Sequence, residues 1–273
     1  MRNYKIVASD LDGTLLNNQS QVSQENIAAI SQLVDKGAYF VPSSGRTLSE
    51  IPAEIRENPA IRYIIHSNGA VVLDKQTGQR ILTCIPNALG REILDALTAC
   101  ECHITMRYNG NSIVDAAHQN TQDFAYYNVI EAHIDCVSNY AIQSEDFLKY
   151  AYDADQVEVF SAFFHSYEDK MACRKRLEKI GKLRVVEASE YNLEIMNIDA
   201  GKGNALHSLA DMLGVDYADT ISIGDSDNDS SITQAAGLGL AVSNACDSLK
   251  AVADQIICSN EEHAIAYVLS HYF

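Results

Sequence analysis

Short apolar runs alternate with longer amphipathic segments along the first part of the chain. Ile6-Val7-Ala8 is one such run, which is typical of a strand buried on both faces of a parallel sheet. The segment that starts at Ser23, a favoured N-cap residue, carries apolar residues at helical spacing and is followed by Gly37. Strand-like runs return at 38–41 and 63–65. This alternation predicts an α/β fold with a Rossmann-like, doubly wound parallel sheet.

The composition of the sequence changes after a hairpin that is predicted at 71–82. All four prolines occur by position 86, and the stretch that follows has strand-like pieces, a charged helical segment and many tyrosines. The α/β pattern resumes at 193–196 and continues to the end of the chain. We therefore predict a core of residues 1–85 and 187–273, with residues 86–186 inserted as a second α/β domain.

The charge balance limits the partners of the protein. The 273 residues include 20 Lys and Arg against 37 Asp and Glu, a formal net charge of −17. Binding a polyanion requires a basic face, so we expect no nucleic-acid partner and no anionic-membrane partner. An anionic substrate must therefore be held by a local positive site.

The seven cysteines indicate a reducing compartment. Their number is odd and their spacing irregular, so no disulfide framework is predicted. One half of a Cys/His metal-binding site could be formed by Cys100, Cys102 and His103. No second Cys/His pair at ligand spacing accompanies them, which favours ordinary thiols. Neither a signal-peptide pattern nor a long apolar run is found, so a cytoplasmic location is expected. The oligomeric state, monomer or homodimer, stays open.

Acidic, hydroxyl and lysine side chains follow the predicted core strands or begin a helix, and parallel sheets bind ligands at that edge. Carboxylates gathered there would repel one another, which raises their pKa values unless a cation is present. Oxygen ligands of this kind suit Mg²⁺ together with substrate phosphate. One carboxylate could then attack phosphorus while another transfers protons. The residues concerned are Asp10, Asp12, Ser44, Gly45, Lys202, Asp225 and Asp229.

Four segments of the chain resemble the motifs of the haloacid dehalogenase superfamily, in the form of its Cof-type subfamily (IIB). In order they are Asp10-Leu11-Asp12-Gly13-Thr14, Ser44-Gly45-Arg46, Lys202 between two glycines, and Gly224-Asp225-Ser226-Asp227-Asn228-Asp229. The order is the expected one, the resemblance spans the whole chain, and Asn68-Gly69-Ala70 also fits the subfamily. Ser44 stands where many relatives have threonine, which keeps the hydroxyl.

The resemblance implies a role for each of these residues. Asp10 would be the nucleophile and a Mg²⁺ ligand, and Asp12 the general acid/base and a second ligand through its backbone carbonyl. Asp225 would complete the metal ligands. The phosphoryl group would be held by Leu11, Ser44, Gly45, Lys202 and Asn228, and the supporting residues would be Asp229, Ser226 and Arg46. The insertion would be a C2B-type cap that selects the leaving group.

The implied function is a Mg²⁺-dependent phosphatase of small phosphorylated metabolites, with sugar phosphates as the leading class and an aspartyl-phosphate intermediate. A phosphomutase of the same chemistry and a non-catalytic sensor of a phosphorylated ligand are the alternatives. A calcium loop at 225–236 is rejected because Ser230 and Ala236 replace the required glycine and glutamate. Asn68-Gly69 is interpreted as a plain turn, and Arg46 either contacts substrate or pairs with nearby acids.

Overall fold

The computed structural model describes residues 3–273 of the chain. The protein is built from two compact units. The first unit contains the residues up to Arg46, Ile51–Leu82 and Gly201–Phe273. The second contains Thr47–Glu50 and Thr83–Ala200.

Strands and helices are numbered here in chain order. The strands are β1 (Ile6–Ser9), β2 (Tyr39–Pro42), β3 (Tyr63–His66), β4 (Val71–Asp74), β5 (Arg80–Leu82), β6 (Ile85–Pro86), β7 (Cys102–Tyr108), β8 (Asn111–Asp115), β9 (Ile142–Ser144), β10 (Gln156–Val157), β11 (Val159–Phe164), β12 (Leu183–Val186), β13 (Asn192–Asn197), β14 (Thr220–Gly224), β15 (Leu238–Ala241) and β16 (Gln255–Ile256). The helices are α1 (Gln24–Asp35), α2 (Ala53–Arg56), α3 (Asn87–Thr98), α4 (Thr121–Tyr126), α5 (Glu131–Tyr140), α6 (Phe147–Asp153), α7 (Tyr167–Ile180), α8 (Lys202–Leu213), α9 (Ser230–Ala235), α10 (Asp247–Lys250) and α11 (Ala264–Tyr272).

A parallel five-stranded sheet in the order β16-β15-β14-β1-β2 forms the centre of the first unit. β1 and β14 are buried along their whole length, as their apolar runs predict. Ile6 and Ala8 pack with Leu206 and Leu209 of α8 in one apolar cluster. The antiparallel strands β3, β4 and β5 form a second sheet, and a parallel bridge from Ser43 links β3 to β2. The predicted α/β fold class is confirmed.

A six-stranded sheet in the order β12-β13-β11-β7-β8-β9 forms the second unit. All of its neighbouring strands run antiparallel except β8 and β9. Met106, Phe160 and Ile195 pack with Leu94 of α3 and Leu177 of α7 in its apolar core. Helices thus supply the apolar partner that this sheet requires.

The boundaries of the second unit differ from the predicted insertion at both ends. β13, which the apolar residues at 193–196 placed in the core, pairs antiparallel with β11 and β12. The short segment Thr47–Glu50 also belongs to this unit, because the N–H of Ser49 donates to the carbonyl of Gly110 at 2.9 Å. Local hydrophobicity predicts that a strand is buried, but not which strand it pairs with.

No helix within residues 3–273 combines the length and the apolar character needed to cross a bilayer.

Candidate active site

The loops that follow β1 and β14 bring three carboxylates together in the first unit. Asp10 comes directly after β1, and its N–H donates to the carbonyl of Ile223 on the neighbouring β14 at 2.9 Å. One oxygen each from Asp10, Asp225 and Asp229 lies within 4.8 Å of the other two. The parallel register of β1 and β14 causes this convergence, since both strands end at the same edge of the sheet.

Lys202, the first residue of α8, lies between two of these carboxylates. Its Nζ donates to Asp10 Oδ1 at 2.7 Å and to Asp229 Oδ1 at 2.6 Å, and only 1% of its side chain is exposed. Burial is the largest single influence and favours the neutral amine, but the charges of Asp10 and Asp229 outweigh it and raise the pKa of Lys202. The ammonium group is therefore charged in the folded protein.

One lysine does not neutralise three clustered acids. Burial, followed by the charge of Asp229, holds the pKa of Asp10 well above its usual range, even though Lys202 lowers it. The same two causes raise the pKa of Asp225 to about 6. A further positive charge at this position would stabilise the ionised forms of both carboxylates.

The donor set fits a hard divalent cation. Asp225 Oδ1 is buried and has no hydrogen-bond partner among the residues that the structure describes, which is costly for a carboxylate unless a cation binds it. A side chain at Gly13, whose φ is +73°, would put its Cβ only 2.4 Å from Asp225 Oδ2. Glycine at this position lets the first loop approach Asp225 closely, so that oxygen atoms from both loops are available to one hard cation.

Asp12 is not one of the three clustered carboxylates. Its side chain is 55% exposed and is held by a two-pronged ion pair with Arg46, with Nε to Oδ2 at 2.8 Å and Nη2 to Oδ1 at 2.7 Å. The sequence left open whether Arg46 contacts substrate or pairs with nearby acids. In the structure it forms an ion pair with Asp12. The planar guanidinium fixes the carboxylate of Asp12 in one orientation, which a lysine could not do.

Asp229 organises the loop after β14. Its Oδ2 accepts from the N–H of Asp225 at 3.1 Å and from that of Ser226 at 3.3 Å, while its other oxygen binds Lys202. Ser226 and Asp229 form a capping box, and Ser226 Oγ donates to Asn228 Oδ1 at 2.9 Å. Gly224 is required here, because a Cβ on it would lie 2.5 Å from that of Asp229.

The remaining predicted residues lie in the loops after β1, β2 and β14. Leu11 is fully buried in the turn after β1. Ser44 is buried after β2, and its Oγ accepts from the N–H of Arg46 at 3.1 Å. Asn228 is exposed, and its Nδ2 lies 3.4 Å from the Oδ1 of Asn68, a residue that the sequence interpretation treated only as part of a turn. The Asn-Gly-Ala triplet was the signal that could have marked it.

Comparisons with known proteins identify the family of the chain. The profile of the haloacid dehalogenase-like hydrolases matches residues 7–269. Phosphatase YwpJ of Bacillus subtilis is 30% identical over 98% of this chain and 99% of its own length. A second protein of that species, 5-amino-6-(5-phospho-D-ribitylamino)uracil phosphatase YwtE, is 28% identical over 97% of this chain and 96% of its own.

Solved structures share the fold. A haloacid dehalogenase-like hydrolase from B. subtilis superposes with a TM-score of 0.80 at 29% identity, covering 98% of this chain and all of the other. The subclass IIB sugar phosphatase BT4131 gives 0.79 at 18% identity, with 98% of each chain covered. The protein belongs to the haloacid dehalogenase-like hydrolase family, as the motifs predicted. Within that family it is a phosphatase that acts on phosphorylated substrates.

Proposed function

We propose that the protein is a Mg²⁺-dependent phosphatase of small phosphorylated metabolites, sugar phosphates above all, and that it works through an aspartyl phosphate on Asp10. One observation supports this proposal most strongly. Three carboxylates converge at the carboxyl edge of a parallel sheet, and two of them bind a buried, charged lysine. This arrangement combines a nucleophile, a cation site and a fixed positive charge for a phosphoryl group.

Three groups would hold the metal: the carboxylates of Asp10 and Asp225 and the backbone carbonyl of Asp12. When bound, Mg²⁺ would help to neutralise the charge of the phosphoryl oxygens. The other site residues act without it. Lys202 supplies a buried positive charge, and the hydroxyl of Ser44, the amide of Asn228 and backbone N–H groups at Leu11 and Gly45 are the proposed donors to phosphoryl oxygens.

Asp10 and Asp12 carry out different parts of the reaction. Asp10 attacks phosphorus, so that a bond from its oxygen to phosphorus forms while the bond to the leaving oxygen breaks. Asp12 donates a proton to that leaving oxygen and then removes one from the water that cleaves the aspartyl phosphate. The exposed side chain of Asp12 would transfer protons after it leaves the ion pair with Arg46, because that pair occupies both of its carboxylate oxygens, whereas the buried carboxylate of Asp10 suits attack on a charge-neutralised phosphoryl group.

The second unit is proposed to act as the cap that selects the leaving group. The name of YwtE describes a substrate phosphorylated on a ribityl group, which supports a polyol or sugar phosphate for this chain too.

The seven cysteines are all free thiols, in keeping with the proposed cytoplasmic location.

A phosphate-release screen over a metabolite panel tests the proposed function. Release should require Mg²⁺ and fall on the order of 10³-fold in EDTA, because the carboxylate cluster then has no divalent cation. Added Mg²⁺ should restore it. Sugar phosphates should be the best substrates, and release should need no bisphosphate activator, which separates a phosphatase from a phosphomutase. Equal rates in EDTA and in Mg²⁺ would contradict the proposed metal dependence.

Replacing Asp12 with asparagine should separate the two chemical steps. p-Nitrophenyl phosphate has a good leaving group that needs no acid, so the variant should still release about one nitrophenolate per enzyme in a rapid burst. Steady-state turnover should fall about 10²–10⁴-fold, since no base then activates water. Stopped-flow absorbance measures both phases. A slow steady-state release of nitrophenolate that is not preceded by a burst would argue against the role of Asp12 in the second step.

A further inference from the structure

Three consecutive residues after β3 adopt left-handed backbone conformations. The φ angles are +51° at Ser67, +55° at Asn68 and +86° at Gly69. Only glycine adopts this region without a steric cost, although asparagine tolerates it better than most residues. Strain of this kind persists where surrounding contacts hold it, and it is often found at functional sites.

Backbone hydrogen bonds tie this strained loop to the loop after β2. The N–H of Ser67 donates to the carbonyl of Arg46 at 2.8 Å, and the N–H of Asn68 donates to the carbonyl of Ser44 at 3.0 Å. The strained residues are therefore hydrogen-bonded to the segment that carries Ser44 and Gly45, two of the proposed phosphoryl ligands.

The same loop also contacts the motif that contains Lys202 and the motif that contains Asn228. A Cβ on Gly69 would lie 2.4 Å from the carbonyl of Gly201, so the loop packs directly on the start of α8, where Lys202 lies. The Oδ1 of Asn68 lies 3.4 Å from the Nδ2 of Asn228, which is 160 residues away in sequence. A Cβ on Gly45 would come within 2.9 Å of that Oδ1, so the side chain of Asn68 lies against the backbone of Gly45.

We propose that Asn68 is a positioning residue of the phosphoryl site, with its side-chain amide setting the distance between Gly45 and Asn228. This proposal rests on the proposed function. A residue needed only for the turn would have to satisfy the left-handed backbone, which glycine does equally well. The amide does more, because it accepts a hydrogen bond from one proposed phosphoryl ligand and packs against another.

Asn68→Gly isolates the role of the side chain, since it keeps the backbone conformation and removes the amide. We expect the KM for a phosphomonoester and the inhibition constant of orthophosphate to rise together by about 3–10-fold, as for the loss of one hydrogen bond. The kcat should change less than KM, and the melting temperature should not fall. Calorimetric titration of the Mg²⁺-loaded variant with orthophosphate should give the same loss of affinity without any turnover.

Asn68→Asp tests how close the phosphoryl group lies. Aspartate also tolerates the left-handed region and keeps an acceptor for Asn228, but it adds a negative charge. The KM and the orthophosphate constant should then rise more than in the glycine variant, on the order of 10–100-fold. Asn109→Gly is the matched control, because Asn109 is an exposed asparagine with φ +50° in the second unit, and it should leave orthophosphate binding unchanged.

Two outcomes would overturn the role of Asn68. One is wild-type orthophosphate affinity in both Asn68 variants. The other is a lower melting temperature with equal losses in kcat and in phosphate affinity, which would mean that Asn68 is only structural. The proposed function fails in a different experiment, namely if the Asp10→Asn variant still turns over substrate. Binding of orthophosphate to the Asn68 variants is measured without turnover, so the two failures can be distinguished.

Discussion

Asp10→Asn is expected to lower kcat by a factor on the order of 10⁵–10⁶, the size seen when a covalent nucleophile is removed. The amide has nearly the shape of the carboxylate, but it cannot form an acyl phosphate that water then hydrolyses. Phosphate release by a variant purified without wild-type contamination measures the effect. Acid-quenched enzyme incubated with ³²P-labelled substrate should carry label in the wild type and none in the variant.

The same change should leave the fold intact. Burial and the charge of Asp229 hold the pKa of Asp10 above its usual range, so the ionised carboxylate opposes folding in metal-free buffer. A neutral amide removes that opposition while it gives up the ion pair with Lys202. We therefore expect the free energy of unfolding in EDTA to stay close to that of the wild type.

Asp227→Asn is the matched control for the nucleophile. Asp227 is an exposed acid in the loop after β14, and its carboxylate accepts a hydrogen bond from Ser248 rather than from Lys202. The variant should retain wild-type kcat. Comparable losses from Asp10→Asn and Asp227→Asn would show that the charge of the site, and not one nucleophile, controls the rate.

Lys202→Met is expected to impair both stability and catalysis. The substitution leaves Asp10 and Asp229 buried without the cation that both of them bind. Breaking a buried ion pair from one side costs about 3–5 kcal/mol in the free energy of unfolding. The kcat should fall on the order of 10²–10³-fold, because a fixed donor to the phosphoryl group is lost.

A second substitution separates the two effects of Lys202. Adding Asp229→Asn to Lys202→Met removes one of the unpaired carboxylates, so part of the lost stability should return while activity stays low. Urea unfolding in EDTA and phosphate release in Mg²⁺ report the two quantities. Identical unfolding free energies for the single and double variants would mean that the unpaired carboxylate of Asp229 is not what destabilises the Lys202→Met variant.

The hydrophobic pattern of the sequence predicted those site residues that directly follow a core strand. The apolar runs of β1 and β14 indicated buried parallel strands, and Asp10 and Asp225 follow them directly. Carboxyl ends of parallel strands meet at one edge, so their convergence could be expected from sequence. The roles of the predicted site residues stay predictions until the variants are measured.

The unit to which a strand belongs was harder to predict. β13 contains buried polar residues beside its buried apolar ones, such as Glu194, whose Oε1 lies 2.8 Å from Nη2 of Arg107 on β7. From sequence its apolar residues resemble those of a core strand, and nothing local identifies β11 and β12 as its partners. Thr47–Glu50 was missed for a similar reason, because hydrogen bonds to distant residues hold it, such as Ser112 Oγ to Glu50 Oε1 at 2.6 Å.

The amino-acid sequence by itself determined the alternation of strands and helices, the acids placed at strand ends and the family to which the chain belongs. These properties depend on hydrophobic period, turn chemistry and short motifs, all of which are local. Only the tertiary structure decided that Lys202 lies between Asp10 and Asp229, that Arg46 holds Asp12, and that Asn68 joins Gly45 to Asn228. Each of those contacts joins residues that are far apart in sequence, and chain packing rather than local preference sets the distance between them.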